Sequence, residues 1–226
     1  MLPQTFLTPS SMIRNVSLFL LAIIALACQP KPNPAKNQDA SEQETPPGAP
    51  PKNDFVIVPG QRVGPFASNA TTETDLAKAF GEANVEAASI GVGEGFELPG
   101  FKVFPGTKNE LEVAYDPDAG PNRPAFIRVS QEGTPWKTDT GIKLGMTLQE
   151  LQQLNGKPFL FSGFGWDYGG RVTDWNGGAF NANLMISLDN FSENAPEDIF
   201  GDREISSDNP ILQRLKIRVW MMEVRI

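Results

Sequence analysis

Thr147-Leu-Gln-Glu-Leu-Gln-Gln-Leu-Asn-Gly156 can be laid over Thr72-Glu-Thr-Asp-Leu-Ala-Lys-Ala-Phe-Gly81 at a constant offset of 75 residues. Each copy opens on a threonine followed three residues later by an acid, Asp75 or Glu150. That spacing is a capping box, in which side chain and backbone satisfy each other's orphan N–H groups at a helix start. Each closes on a glycine suited to a helix C-terminus. Leu76 with Phe80, and Leu148 and Leu151 with Leu154, give apolar faces at helical spacing. Met146 and Leu151 add a hydrophobic staple. Both segments predict helices of two to three turns that depend on packing.

Strand-like segments follow each copy. Leu111-Glu-Val-Ala-Tyr-Asp116 matches Leu184-Met-Ile-Ser-Leu-Asp189 at an offset of 73, and Ala125-Phe-Ile-Arg-Val129 matches Leu215-Lys-Ile-Arg-Val219 at an offset of 90. Alternate residues are apolar, as on a half-buried strand. Earlier strands are expected at Phe101–Phe104 and Gly170–Trp175. The change of offset places an insertion at about 190–212. The last segment changes phase. Ile217, Val219 and Met221 are apolar at odd positions but Glu223 and Arg225 are not, whereas Trp220, Met222, Val224 and Ile226 are apolar at even ones. Either a bulge near Trp220–Met222 or a strand buried on both faces accounts for it.

The reading is an α+β fold of two tandem repeats, 54–138 and 139–226, each a short helix followed by an antiparallel sheet of about three strands, the two packing into one continuous sheet or two facing ones. Gly141-Ile-Lys-Leu-Gly-Met-Thr-Leu-Gln-Glu-Leu-Gln-Gln-Leu-Asn-Gly-Lys-Pro158 resembles the opening of SmpA/OmlA (BamE-like) lipoproteins and the related β-lactamase-inhibitor-protein fold, with Val63-Gly-Pro-Phe66 through Gly81 as a weaker copy. The resemblance implies a binding or assembly module outside the cytoplasm, not an enzyme. It places no family interface residue on this chain.

The N-terminus carries an address. Arg14 precedes the apolar run Val16–Ala27, which is too short to span a bilayer and has the n-region and h-region of a secretory signal. Either Met1 or Met12 can be the start. Ala25-Leu-Ala-Cys28 resembles the lipobox of bacterial lipoproteins. That implies cleavage of 1–27, lipidation of Cys28 and a membrane anchor of several acyl chains. Gln29 behind the cysteine implies outer-membrane sorting. Residues 29–53, with seven prolines and no aromatic residue, read as a stiffened tether.

Composition narrows the chemistry. The 226 residues contain no histidine and one cysteine, so no internal disulfide, Ser-His-Asp or Cys-His mechanism is possible. A formal charge of −8 without a basic run argues against nucleic acid as a partner. No cofactor or metal is expected. Asp116-Pro-Asp-Ala-Gly120 begins like a calcium loop, but Pro121 and Ile127 fall where glycine and glutamate are required, so it reads as a turn. Gly91-Val-Gly-Glu-Gly95 lacks the Lys-Ser/Thr of a phosphate loop. The acids of 193–208 read as a solvated loop.

Ser162-Gly-Phe-Gly-Trp-Asp-Tyr-Gly-Gly170 is the least ordinary segment, with Trp175 close behind. Glycines permit close backbone approach, and Trp and Tyr offer large amphipathic surface at low entropic cost. Either the aromatics pack over a sheet edge, or Trp166, Asp167, Tyr168 and Trp175 form a contact loop. The expected function is a non-catalytic module binding an envelope protein. The alternative is a carboxylate-based hydrolase, or a carbohydrate or small-ligand binder, at the cell envelope.

Overall fold

The computed structural model describes residues 54–69, 72–118 and 123–226. The apolar run, Cys28, the proline-rich stretch and part of the Asp116–Gly120 turn lie outside the described residues. Both predicted helices form, α1 at Glu73–Phe80 and α2 at Leu148–Asn155, each with its capping box closed. Thr72 and Thr147 cap the N–H groups of Asp75 and Glu150, whose carboxylates accept in return from the cap backbone. Gly156 ends α2 in the left-handed conformation, whereas Gly81 at φ 92° and ψ 132° turns α1 into a 3-10 segment.

The strands are β1 (Val56–Val58), β2 (Arg62–Val63), β3 (Phe66–Ala67), β4 (Val85–Gly93), β5 (Phe96–Val103), β6 (Leu111–Tyr115), β7 (Pro124–Val129), β8 (Lys137–Thr138), β9 (Leu160–Ser162), β10 (Val172–Asp174), β11 (Leu184–Asn190), β12 (Glu204–Ser206) and β13 (Ile217–Val224). They make three sheets. The largest has the order β11-β13-β7-β6-β5-β4, the others β3-β2-β1-β8 and β10-β9-β12. All pairings are antiparallel except β1 with β8.

This corrects the expected fold. The chain is mostly β, with two α-helices among the described residues, and does not form two tandem helix-then-sheet repeats. The second half builds no sheet equivalent to the first. β13 pairs with β7 of the first half, Met222 opposite Val129 and Val224 opposite Ile127, so one sheet spans both halves. β9 and β10 pair with each other outside it, and β9 takes β12, which the 190–212 insertion supplies, on its other edge. That insertion is therefore part of the framework: Ile199, Ile205 and Leu212 are buried. The physical reason is that a capping box is fixed within four residues, whereas the partner of a strand is fixed by which faces can be buried together.

The phase change of the last strand is a bulge. Ser187 pairs with Met221 and Leu188 with Val219, leaving Trp220 unopposed. The extra residue lets Ile217, Val219, Met222 and Val224 all face the core. That core also takes Leu76 of α1, Leu148 and Leu151 of α2, Trp136, and Phe159 and Phe161 at β9.

The opposite face of the large sheet carries charge in register. Glu86, Lys102, Glu112, Arg128 and Glu223 are successive cross-strand neighbours on β4, β5, β6, β7 and β13. Their signs alternate, which favours this pairing over like-charge registers. Beyond this row β5 leaves β6, because their pairing stops at Gly100 opposite Ala114 while β4–β5 continues to its tip. A Cβ at Gly100 would overlap the Val113 carbonyl oxygen, so only glycine permits the bend. The rest of the hairpin lies back on the sheet: Ile90 is fully buried, and Arg128 Nη1 donates to the Gly91 carbonyl at 2.9 Å.

Candidate functional site

The loop 163–170 connects β9 to β10 and is held on three sides. At its base Ser162 and Gly170 are joined by Gly170 N–H to Ser162 O, and Ser162 N–H to Arg171 O. The insertion grips it through Gly163 N–H to Arg203 O, Phe164 N–H to Ile199 O and Gly201 N–H to Phe164 O. β11 grips it through Leu188 N–H to Gly170 O. Gly170 has φ +73°, and a Cβ there would overlap the Leu188 carbonyl oxygen, so this contact demands glycine.

On that frame Trp166 is 38% exposed. Its indole Nε1 donates to Gly163 O at 2.8 Å, which fixes the ring without burying its face. Tyr168 meets it edge-on at 5.4 Å and is capped by the Arg171 guanidinium 5.3 Å from its centroid. Exposed Asp167 accepts from the Glu94 backbone N–H at 2.7 Å. The β4–β5 tip thus sits against the loop. Gly91–Gly95, excluded as a phosphate loop, is that tip, with Glu94 at φ 52°. The exposed ring of Phe200 lies beside Gly165, and exposed Phe96 closes the tip.

Trp175 does not belong to this surface. It is 8% exposed, packs on Phe159 and Phe180 at 5.3 and 5.0 Å, and donates through Nε1 to Leu184 O. It is a core residue, so the contact loop consists of Trp166, Asp167 and Tyr168 without it. The sequence reading missed Arg171, Glu94 and Phe200. Glu94 and Phe200 carry no local signal, because they reach the loop through tertiary contacts, whereas Arg171 directly follows the loop and stacks on Tyr168 three residues back.

The loop and the charge row meet at Glu223, which is 7% exposed. Arg128 contacts its Oε1 through Nε at 2.9 Å and Nη2 at 2.8 Å, and Arg171 Nη2 reaches Oε2 at 3.2 Å. Arg128 also binds Glu112 at 2.9 Å. At the far end Lys102 pairs with buried Glu110 at 3.1 Å. Burial works to raise the Glu110 pKa. The Gly106 N–H, the Lys102 ammonium and the Gln131 amide outweigh it and hold the carboxyl below its ordinary value. Asp167 and Glu223 at the loop, like Glu110 and Glu112 farther along the row, are therefore engaged in hydrogen bonds or ion pairs. No group of three or more His, Cys, Asp or Glu residues is placed to hold a metal ion among the described residues.

Comparison with protein-family models, with curated proteins and with solved structures finds no match for this chain. The resemblance drawn on Gly141–Pro158 has no support beyond those residues.

Proposed function

We propose that this chain is a lipid-anchored, non-catalytic protein-binding module of the bacterial cell envelope, held at the outer membrane through Cys28 and engaging an envelope protein through loop 163–170. The observation that carries this reading is Trp166. An indole fixed by its own hydrogen bond and left 38% exposed is already ordered before contact. Little conformational entropy remains to be lost on binding, and aromatic anchors of this kind dominate interface energies. The acids nearest the loop support binding over hydrolysis: Asp167 is engaged by the hairpin tip and Glu223 by two guanidinium groups.

Chemical cross-linking in intact envelopes followed by purification of the chain tests the reading. The expected result is capture of one envelope protein near one-to-one stoichiometry, reduced about thirtyfold or more in affinity by Trp166→Ala, which corresponds to about 2 kcal/mol. Turnover of an envelope glycan that disappears on a single Asp or Glu substitution would overturn it.

A further inference from the structure

A second surface lies where the bulge splits the large sheet. β13 pairs with β7 only at Met222–Val224. Before the bulge its neighbour on that side is the backbone of Gly145 and Met146, through Gly145 N–H to Val219 O and Val219 N–H to Met146 O. The change of neighbour opens a groove of about 470 Å³. Its walls carry Trp220, 41% exposed, and Phe191, 55% exposed, together with Lys216, Arg218, Ser130 and Glu132.

Two kinds of idle capacity coincide here. Among the described residues neither ring packs on another aromatic ring, and neither Lys216 nor Arg218 has a carboxylate within ion-pair distance; Arg218 acts on Glu150 only through space. Idle cations side by side are out of character for a body (54–226) with 15 Lys+Arg against 24 Asp+Glu. The volume falls within the range of small-ligand sites, about 300–1,000 Å³.

We propose that this groove binds a uronic-acid residue of an acidic polysaccharide. The apolar face of a sugar ring lies on Trp220, its carboxylate takes charge-assisted hydrogen bonds from Lys216 and Arg218, and its hydroxyls reach Ser130 and Glu132. An extended peptide is the poorer occupant. The backbone N–H groups of Gly145 and Val219 along the groove already pair with each other's segment, so strand addition has no ladder to join.

Titration calorimetry of the detergent-solubilised full chain with oligogalacturonate tests this, with polyglutamate of equal charge as the competitor class. The expected result is saturable binding by oligogalacturonate. It weakens about tenfold or more in Trp220→Ala and in Arg218→Gln, and is unchanged in Trp166→Ala. Polyglutamate binds at least about tenfold less tightly. Arg218→Gln, an exposed polar change, carries the test if Trp220→Ala melts lower than the parent. The proposal is overturned by absent oligogalacturonate binding, by equal polyglutamate binding, or by losses that follow Trp166 instead.

Discussion

Replacing Glu223 by glutamine tests whether the charge row supports the candidate site. The carboxylate is buried between Arg128 and Arg171, with three contacts at 2.8–3.2 Å. Deleting one partner of a buried pair costs about 3–5 kcal/mol, because the remaining charge is left uncompensated. Glutamine keeps one acceptor, and Arg128 keeps Glu112 and the Gly91 carbonyl, so about 2–3 kcal/mol is expected. For a body of this size each kcal/mol lowers the melting temperature by about 2–4 °C, a total of roughly 4–12 °C. Arg171 loses its carboxylate while still stacking on Tyr168, so amide exchange within 91–96 and 163–170 rises as well. The assay is a thermal melt followed by circular dichroism, with Glu86→Gln at the exposed end of the row as the control. That control costs at most about 0.5 kcal/mol. A Glu223→Gln melt within about 2 °C of the parent, or a control equally costly, refutes the claim that the row pins hairpin and loop.

Other outcomes follow from single positions. Gly170→Ala forces a Cβ onto the Leu188 carbonyl and lowers the yield of folded protein or its stability by at least about 3 kcal/mol, read by urea titration. Trp175→Ala opens a core cavity and costs about 3–5 kcal/mol, whereas Trp166→Ala costs less than about 1 kcal/mol; paired melts separate the two. Glu110 is held below the ordinary carboxylate value of 4.5, so its contribution is whole above that pH and is lost as pH falls through the folded value. Burial, with the charges of Asp75 and Glu73, pushes Tyr115 up from 10.0 to about 12, so its contribution is whole below pH 10.0 and lost as pH rises toward 12. Urea midpoints at acid, neutral and alkaline pH check both flanks.

What was legible in the sequence was local. The two capping boxes close within four residues, and the bulge at Trp220 shows as a phase change inside one strand. Strand partners were not legible. Two similar capped helices predicted two helix-then-sheet repeats, in one continuous sheet or two facing ones, and nothing in the pattern said that Met222 would find Val129 across about 90 residues of chain, where both faces bury together. β1, β2, β3 and β8 are two or three residues long, too short to show a period. Trp166 and Trp175 look alike as residues. Their opposite fates depend on Phe159 and Phe180 on one side and the clamp of the insertion on the other.

A photo-crosslinking amino acid placed at position 166 in intact envelopes decides whether loop 163–170 is an interface, with position 137 as an exposed control on β8. One discrete adduct with an envelope protein is expected from position 166 and none from position 137. No adduct from 166, or the same adducts from both positions, would contradict an interface there.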